Sequence, residues 1–250
     1  MIMTLLKPNE VLNDLLGYQG MKIIQRPDMF NFSLDSTLLA DFVVITKNIN
    51  TIIDLGTGFA PVPLFLSQKT NAQIIGVEVQ EAVADLAQRN VALNHLENQI
   101  TVLHEDIKNL KKHFRPNSVD LITCNPPFFK YKQDSHLNLS DYKTIARHEK
   151  LIDLATILKM SRYLLSHKAH LYLVHRPERL SEIIALLKEQ GFAIKRLRFV
   201  YPKINQPAIN VLIDASNQGS EGMTILPPLI VHNEKGYTEE VLRIFNNERR

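Results

Sequence analysis

The chain of 250 residues has no tryptophan, one cysteine (Cys124) and only 7% aromatic residues. A single cysteine excludes an intramolecular disulfide and a zinc site built from cysteine pairs, and it suits a reducing compartment. No stretch approaches the roughly 20 consecutive apolar residues that span a bilayer, and residues 1–8 lack the apolar core of a secretion signal. The 9 histidines show no metal-ligand spacing, so no metal is expected. Internal repeats and low-complexity segments are also absent. These absences lead to the expectation of a cytoplasmic protein with no membrane segment and no metal.

What is present is 45% hydrophobic sequence, enough over this length to fill the core of one large α/β domain. The net charge of +3 is small but unevenly spread. Between Gln190 and Ile213 lie Lys195, Arg196, Arg198 and Lys203 with no acidic residue, a composition that suits either phosphate contacts or a solvated surface.

Hydrophobic periodicity predicts a short helix over 9–16, a strand over 21–25 and a helix capped by Asp35 that runs through Phe42, together a small amino-terminal cap over 1–48. From residue 51 strands and helices alternate: strands at 51–55, 73–79, 100–104, 119–124 and 170–174, helices at 62–68, 81–94, 109–114, 151–165 and 178–190. Such alternation specifies a mainly parallel, doubly wound sheet. Strands at 194–200 and 209–214 stand too close together for a helix between them and are expected as an antiparallel edge hairpin. Residues 129–147 form a long polar segment of the kind that is usually functional or mobile.

Four local patterns suggest chemistry. Asp54-Leu55-Gly56-Thr57-Gly58 follows the first parallel strand and precedes a helix, where a nucleotide-like ligand meets a sheet. It departs from the dinucleotide fingerprint, because Pro61 stands in place of the third glycine and the Asp54 carboxylate would repel a pyrophosphate while suiting an ammonium group. Glu78 ends the second strand, where an acid can take both ribose hydroxyls. Asp106 ends the third and can accept from an adenine amino group, although any one strand-end acid also suits a helix cap or a solvated charge. Asn125-Pro126-Pro127-Phe128 follows an apolar run; the prolines hold Asn125 out of the helical region and set the directions of the carbonyls. These carbonyls and the Asn125 amide oxygen can accept two hydrogen bonds from an exocyclic amine, although the same residues also suit a strand that simply ends in a proline turn.

In this order the four patterns resemble the Rossmann-like S-adenosylmethionine-dependent methyltransferases of the amino group class, over residues 32–174. Several further stretches narrow the similarity. They are Phe30-Asn31-Phe32-Ser33-Leu34-Asp35-Ser36-Thr37-Leu38-Leu39-Ala40, Ala146-Arg147-His148-Glu149 and Val174-His175-Arg176-Pro177-Glu178-Arg179-Leu180. Phe199-Val200-Tyr201-Pro202-Lys203 and Leu226-Pro227-Pro228-Leu229 with Tyr237-Thr238 complete the set. Over almost the whole chain the sequence is similar to bacterial tRNA(Val) adenine N6-methyltransferases, which modify the adenine beside the anticodon.

That resemblance implies a class I methyltransferase fold, a seven-stranded mainly parallel sheet with an antiparallel edge hairpin, spanning 49–250 as one unit with the cap. It implies S-adenosylmethionine as cofactor, with Asp54, Gly56 and Gly58 on its methionine part, Glu78 on the ribose, Asp106 on adenine, and Phe32 and Asn125 also at its site. Asn125, Pro126 and Phe128 would hold the target nitrogen. Phe128 stands where those enzymes more often carry tyrosine; it keeps the stacking face and lacks the hydroxyl. Lys130, Lys132, Lys143, Arg147, Lys195, Arg196, Arg198 and Lys203 would meet tRNA phosphates, and a monomer is expected. The same amine corner also serves rRNA guanine, DNA adenine and protein glutamine, and a non-catalytic RNA-binding module is the reading from another class.

Overall fold

The structure is a computed structural model. It describes residues 6–16, 20–27, 34–126 and 153–246. Strands β3 (Thr51–Leu55), β4 (Gln73–Glu78), β5 (Ile100–His104), β6 (Val119–Cys124) and β7 (Leu165–His175) pair in parallel. Strand β9 (Asn210–Asn217) runs antiparallel between β7 and β8 (Phe192–Tyr201), the expected hairpin. Two-residue strands, β10 (Thr224–Ile225) and β11 (Leu229–Ile230), then add in parallel to β8. The sheet therefore has nine strands among the described residues instead of the expected seven, in the order β10-β8-β9-β7-β6-β3-β4-β5 with β11 also on β8. Segments of two residues carry no readable period, which is why alternation alone stops at seven.

Strand alternation sorts the core into two layers. Ile52, Ile74, Ile100 and Leu121 face a cluster with α1 (Leu34–Phe42), α2 (Pro61–Ser67) and α3 (Glu81–Leu93). Ile53, Leu55, Val77 and Ile122 face the other, with α4 (Leu154–Leu164) and α5 (Leu180–Glu189). Helix α6 (Glu239–Phe245) contributes Val241 and Ile244 to the first layer. Among the described residues no helix is long and apolar enough to cross a membrane.

The amino-terminal segment departs from expectation. Instead of a helix over 9–16, β1 (Val11–Asp14) pairs antiparallel with β2 (Lys22–Gln25). Pairing with the second strand overrides the weak helical spacing of so short a segment. The hairpin is fastened to α3 at two levels. Asn90 accepts from Ile24 N (2.6 Å) and donates to Ile24 O (3.0 Å), while Asn94 accepts from Lys22 N (2.9 Å) and donates to Lys22 O (2.8 Å). Two carboxamides one helical turn apart thus mimic a neighbouring strand. Outside them, Glu10 receives both terminal nitrogens of Arg89 at 2.6 Å, which holds its carboxyl below the usual range even though burial opposes the shift.

Asp35 also differs from its expected role. Helix α1 begins at Leu34, so Asp35 lies inside the first turn instead of capping it, and its buried carboxylate accepts from the Asn210 side chain on β9.

Candidate functional site

Strand order reverses between β3 and β6: from β3 the chain proceeds outward through β4 and β5, whereas β6 lies on the other flank. A crevice opens beyond the carboxyl ends of the strands at such a switch point. Here the two flanks are joined by the Thr123 hydroxyl, which donates to Asp54 Oδ1 at 2.6 Å across paired positions of β6 and β3.

The glycine loop sits on this rim. Gly56 and Gly58 both have positive φ, 70° and 57°, where a Cβ would be strained. Gly56 N and Thr57 N both donate to Val77 O at 2.9 Å, and Gly58 N donates to Glu78 Oε2 at 3.0 Å. The loop is thereby pressed onto β4. The approach is so close that a Cβ on Gly76 would lie 2.8 Å from Thr57 Oγ1.

Each strand-end acid occupies its expected position. Asp54 is buried, and its carboxyl is lifted to about 7, chiefly by desolvation; the Thr123 hydroxyl opposes this and the Glu78 charge adds to it. Glu78 is buried too, with its carboxyl raised by desolvation against backbone N–H groups that lower it. Its Oε1 accepts from Gln80 N at 3.0 Å. Asp106 caps the 3-10 helix Ile107–Lys112 by accepting from Lys108 N. Among the described residues two buried polar atoms in this region, Thr57 Oγ1 and Gln80 Oε1, have no hydrogen-bond partner of good geometry, although the Thr57 hydroxyl lies near enough to Asp54 to oppose the rise of its carboxyl. Three acids at or just past the ends of three adjacent strands, with unmatched polar atoms among them, fit a ligand that carries an ammonium group, a ribose and an adenine. Among the described residues no three His, Cys, Asp or Glu side chains are grouped to hold a metal ion.

Asn125 and Pro126 follow β6 on the opposite lip of the crevice. The Asn125 carboxamide donates from Nδ2 to Ser36 Oγ at 3.1 Å, and no described donor reaches its Oδ1. Phe128, Phe32, Lys130, Lys132, Lys143 and Arg147 lie outside the described residues, as does the polar segment 129–147.

The four cations of the acid-free stretch are not gathered into one patch. Arg196 donates to Asp214 Oδ2 at 2.7 Å and lies over the Phe42 ring, and Arg198, 8% exposed, donates to both oxygens of Glu240 at 2.9 Å. Lys195 reaches the Ser220 carbonyl early in β8, whereas Lys203 is exposed just past its end, on the rim that carries Asn125. Six strand residues separate Lys195 from the end of β8, roughly 20 Å at the usual rise. Sequence reasoning also missed Ser36, Gly76 and Asn90. No local pattern marks them, since each acts on a partner 19 or more positions away (Gly76 on Thr57, Ser36 on Asn125, Asn90 on Ile24).

The sequence profile of the methyltransferase small domain family matches residues 21–148, more than half of the chain. A tRNA1(Val) (adenine(37)-N6)-methyltransferase of Porphyromonas gingivalis (strain ATCC 33277) is 32% identical over 191 residues, which cover 74% of this chain and 73% of that protein. One of the same name from Vibrio campbellii is 24% identical over 213 residues, 85% of each chain. Among solved structures, a predicted O-methyltransferase of Agrobacterium tumefaciens superposes with a TM-score of 0.69 at 20% identity, covering 85% of this chain and 95% of that one, which shows the shared fold. With its glycine loop, strand-end acids and Asn-Pro corner arranged about one switch point, the chain belongs to the methyltransferase small domain family and, within it, to the tRNA1(Val) (adenine(37)-N6)-methyltransferases.

Proposed function

We propose that the protein transfers a methyl group from S-adenosylmethionine to N6 of an adenine in tRNA, the one beside the anticodon at position 37 of tRNA(Val). The observation that carries this reading is the Asn125 carboxamide, turned so that its oxygen has no described donor, across one crevice from the glycine loop. The names of the relatives point to the base and the RNA.

Asp54 with the loop at Gly56 and Gly58 would hold the methionine part of the cofactor, Glu78 the ribose and Asp106 the adenine. When bound, S-adenosylmethionine supplies a methyl group on a sulfonium. An aromatic amine is a weak nucleophile because its lone pair is delocalised. Acceptors at Asn125 Oδ1 and the Pro126 carbonyl favour a pyramidal nitrogen whose lone pair points across the crevice. The nitrogen held there would take the methyl group, the sulfur would leave as a neutral thioether, and the amine proton, then acidic, would pass to solvent. Alignment and electrostatics suffice, and no side chain needs to act as a strong base. Phe128 would stack on the base, and Lys130, Lys132, Arg147 and Lys203 would meet phosphates of the anticodon region.

We read residues 1–48 as a cap on this single catalytic unit, acting as a cytoplasmic monomer. Asn125→Ala should abolish transfer to unmodified tRNA, read by nucleoside mass spectrometry, while cofactor affinity is largely kept by Asp54, the glycine loop, Glu78 and Asp106. An active Asn125→Ala enzyme, or a wild type that yields a methylated nucleoside other than N6-methyladenosine, would overturn the assignment.

A further inference from the structure

A carboxamide has two ends of nearly the same shape and opposite hydrogen-bonding sense. If Asn125 turned its Nδ2 toward the crevice, it would set N–H groups against the N–H groups of the incoming amine, and the acceptor would be lost. Something must therefore choose the end. The only described side chain bonded to this carboxamide is Ser36, which is 5% exposed and accepts from Nδ2 at 3.1 Å. A serine hydroxyl carries two lone pairs, and the hydrogen bond found here places one of them on Nδ2.

The turn that carries Ser36 is itself held in place. Its neighbour Asp35 accepts from Asn210 Nδ2. The oxygen of Asn210 accepts from Arg176 at 3.3 Å, and the same guanidinium nitrogen donates to Ile209 O at 2.8 Å. Helix α1 is thus tied to β9 and to the residue after β7, and Ser36 meets Asn125 from a fixed point.

We propose that Ser36 is a positioning residue for methyl transfer: by accepting the Asn125 Nδ2–H group it holds Oδ1 toward the target amine. The inference rests on the reading of Asn125 as the amine acceptor. Ser36→Ala removes the acceptor, and Ser36→Thr keeps it. For each variant, kcat and KM would be measured with tRNA, S-adenosylhomocysteine affinity by calorimetry, and Tm by scanning. The expected result is a fall in kcat of roughly tenfold in Ser36→Ala, the worth of one hydrogen bond. KM, cofactor affinity and Tm should be unchanged, and Ser36→Thr should recover most of the rate. The proposal is overturned if Ser36→Ala turns over like the wild type, if Ser36→Thr is equally impaired, or if the loss follows Tm and cofactor affinity. Failure of the underlying reading looks different: the wild type leaves tRNA unmodified, or Asn125→Ala stays active.

Discussion

A carboxyl group under a glycine loop is costly to ionise, and at Asp54 burial lifts the folded value from 3.8 to about 7. The folded value lies above the unfolded one, so the folded protein binds more protons between them. The contribution of Asp54 to the stability of the ligand-free protein therefore declines as pH rises from about 4 to about 7. An ammonium group at the proposed methionine position acts in the opposite direction, because it favours the ionised form. Cofactor affinity should then rise about fivefold from pH 6 to pH 7 and about twofold more above that before levelling off, measured by calorimetry. Asp54→Asn should bind more weakly with a flat profile, and a flat wild-type profile would separate Asp54 from the ammonium. Cys124, also buried, has its thiol pushed well up by desolvation and stays protonated, so its place beside the crevice adds no nucleophile.

At the scale of elements, β8 shows how a charge pattern misleads. Its acid-free stretch ends at Ile213, one residue before Asp214, and Asp214 and Glu240 are the carboxylates that take Arg196 and Arg198. Composition counted along the chain cannot register a partner brought in from a neighbouring strand or from α6. Arg198→Ala should therefore act on folding, lowering stability by about 1–3 kcal/mol because Glu240 and the Pro227 carbonyl lose a charged donor. Its effect on tRNA affinity at a temperature where the fold is intact should be small. Lys203→Ala should do the reverse, leaving Tm in place and reducing the salt slope of tRNA binding by about one unit. An unchanged slope would remove Lys203 from the interface. Parallel strands β3, β4, β5 and β6, by contrast, were legible almost to the residue as short apolar or β-branched runs. Strand β7 starts at Leu165, five residues before the expected 170, because its polar stretch Ser166-His167-Lys168 carries no apolar pattern.

For the whole molecule, what could be read beforehand is what is written locally. The order of the glycine loop, Glu78, Asp106 and Asn125 could be laid on strand ends because each follows its own strand directly. Of the amino-terminal hairpin, β2 could be read and β1 could not: a four-residue strand carries little period of its own, and the Asn90 and Asn94 carboxamides that hold β2 lie 66 and 72 positions away. The same distance hides Ser36 from Asn125, 89 positions along. Long-range polar contacts of this kind decide how the amino-terminal hairpin meets α3, and no periodicity reports them.

One of those contacts joins places that otherwise have nothing in common. Besides clamping Ile24, Asn90 Nδ2 donates to Phe59 O at 3.0 Å, directly after the glycine loop. A ligand that steadies the loop thus steadies the carboxamide, which in turn grips the outer edge of the amino-terminal hairpin. Saturating S-adenosylhomocysteine should slow deuterium uptake at the Ile24 amide, and Asn90→Ala should erase that protection while protection at Gly56 and Thr57 persists. If the Ile24 amide exchanged at the same rate with and without ligand, the hairpin would be a passive cover. If it slows, the amino-terminal hairpin is a readout of cofactor occupancy, its outer edge held differently in the loaded and the empty enzyme.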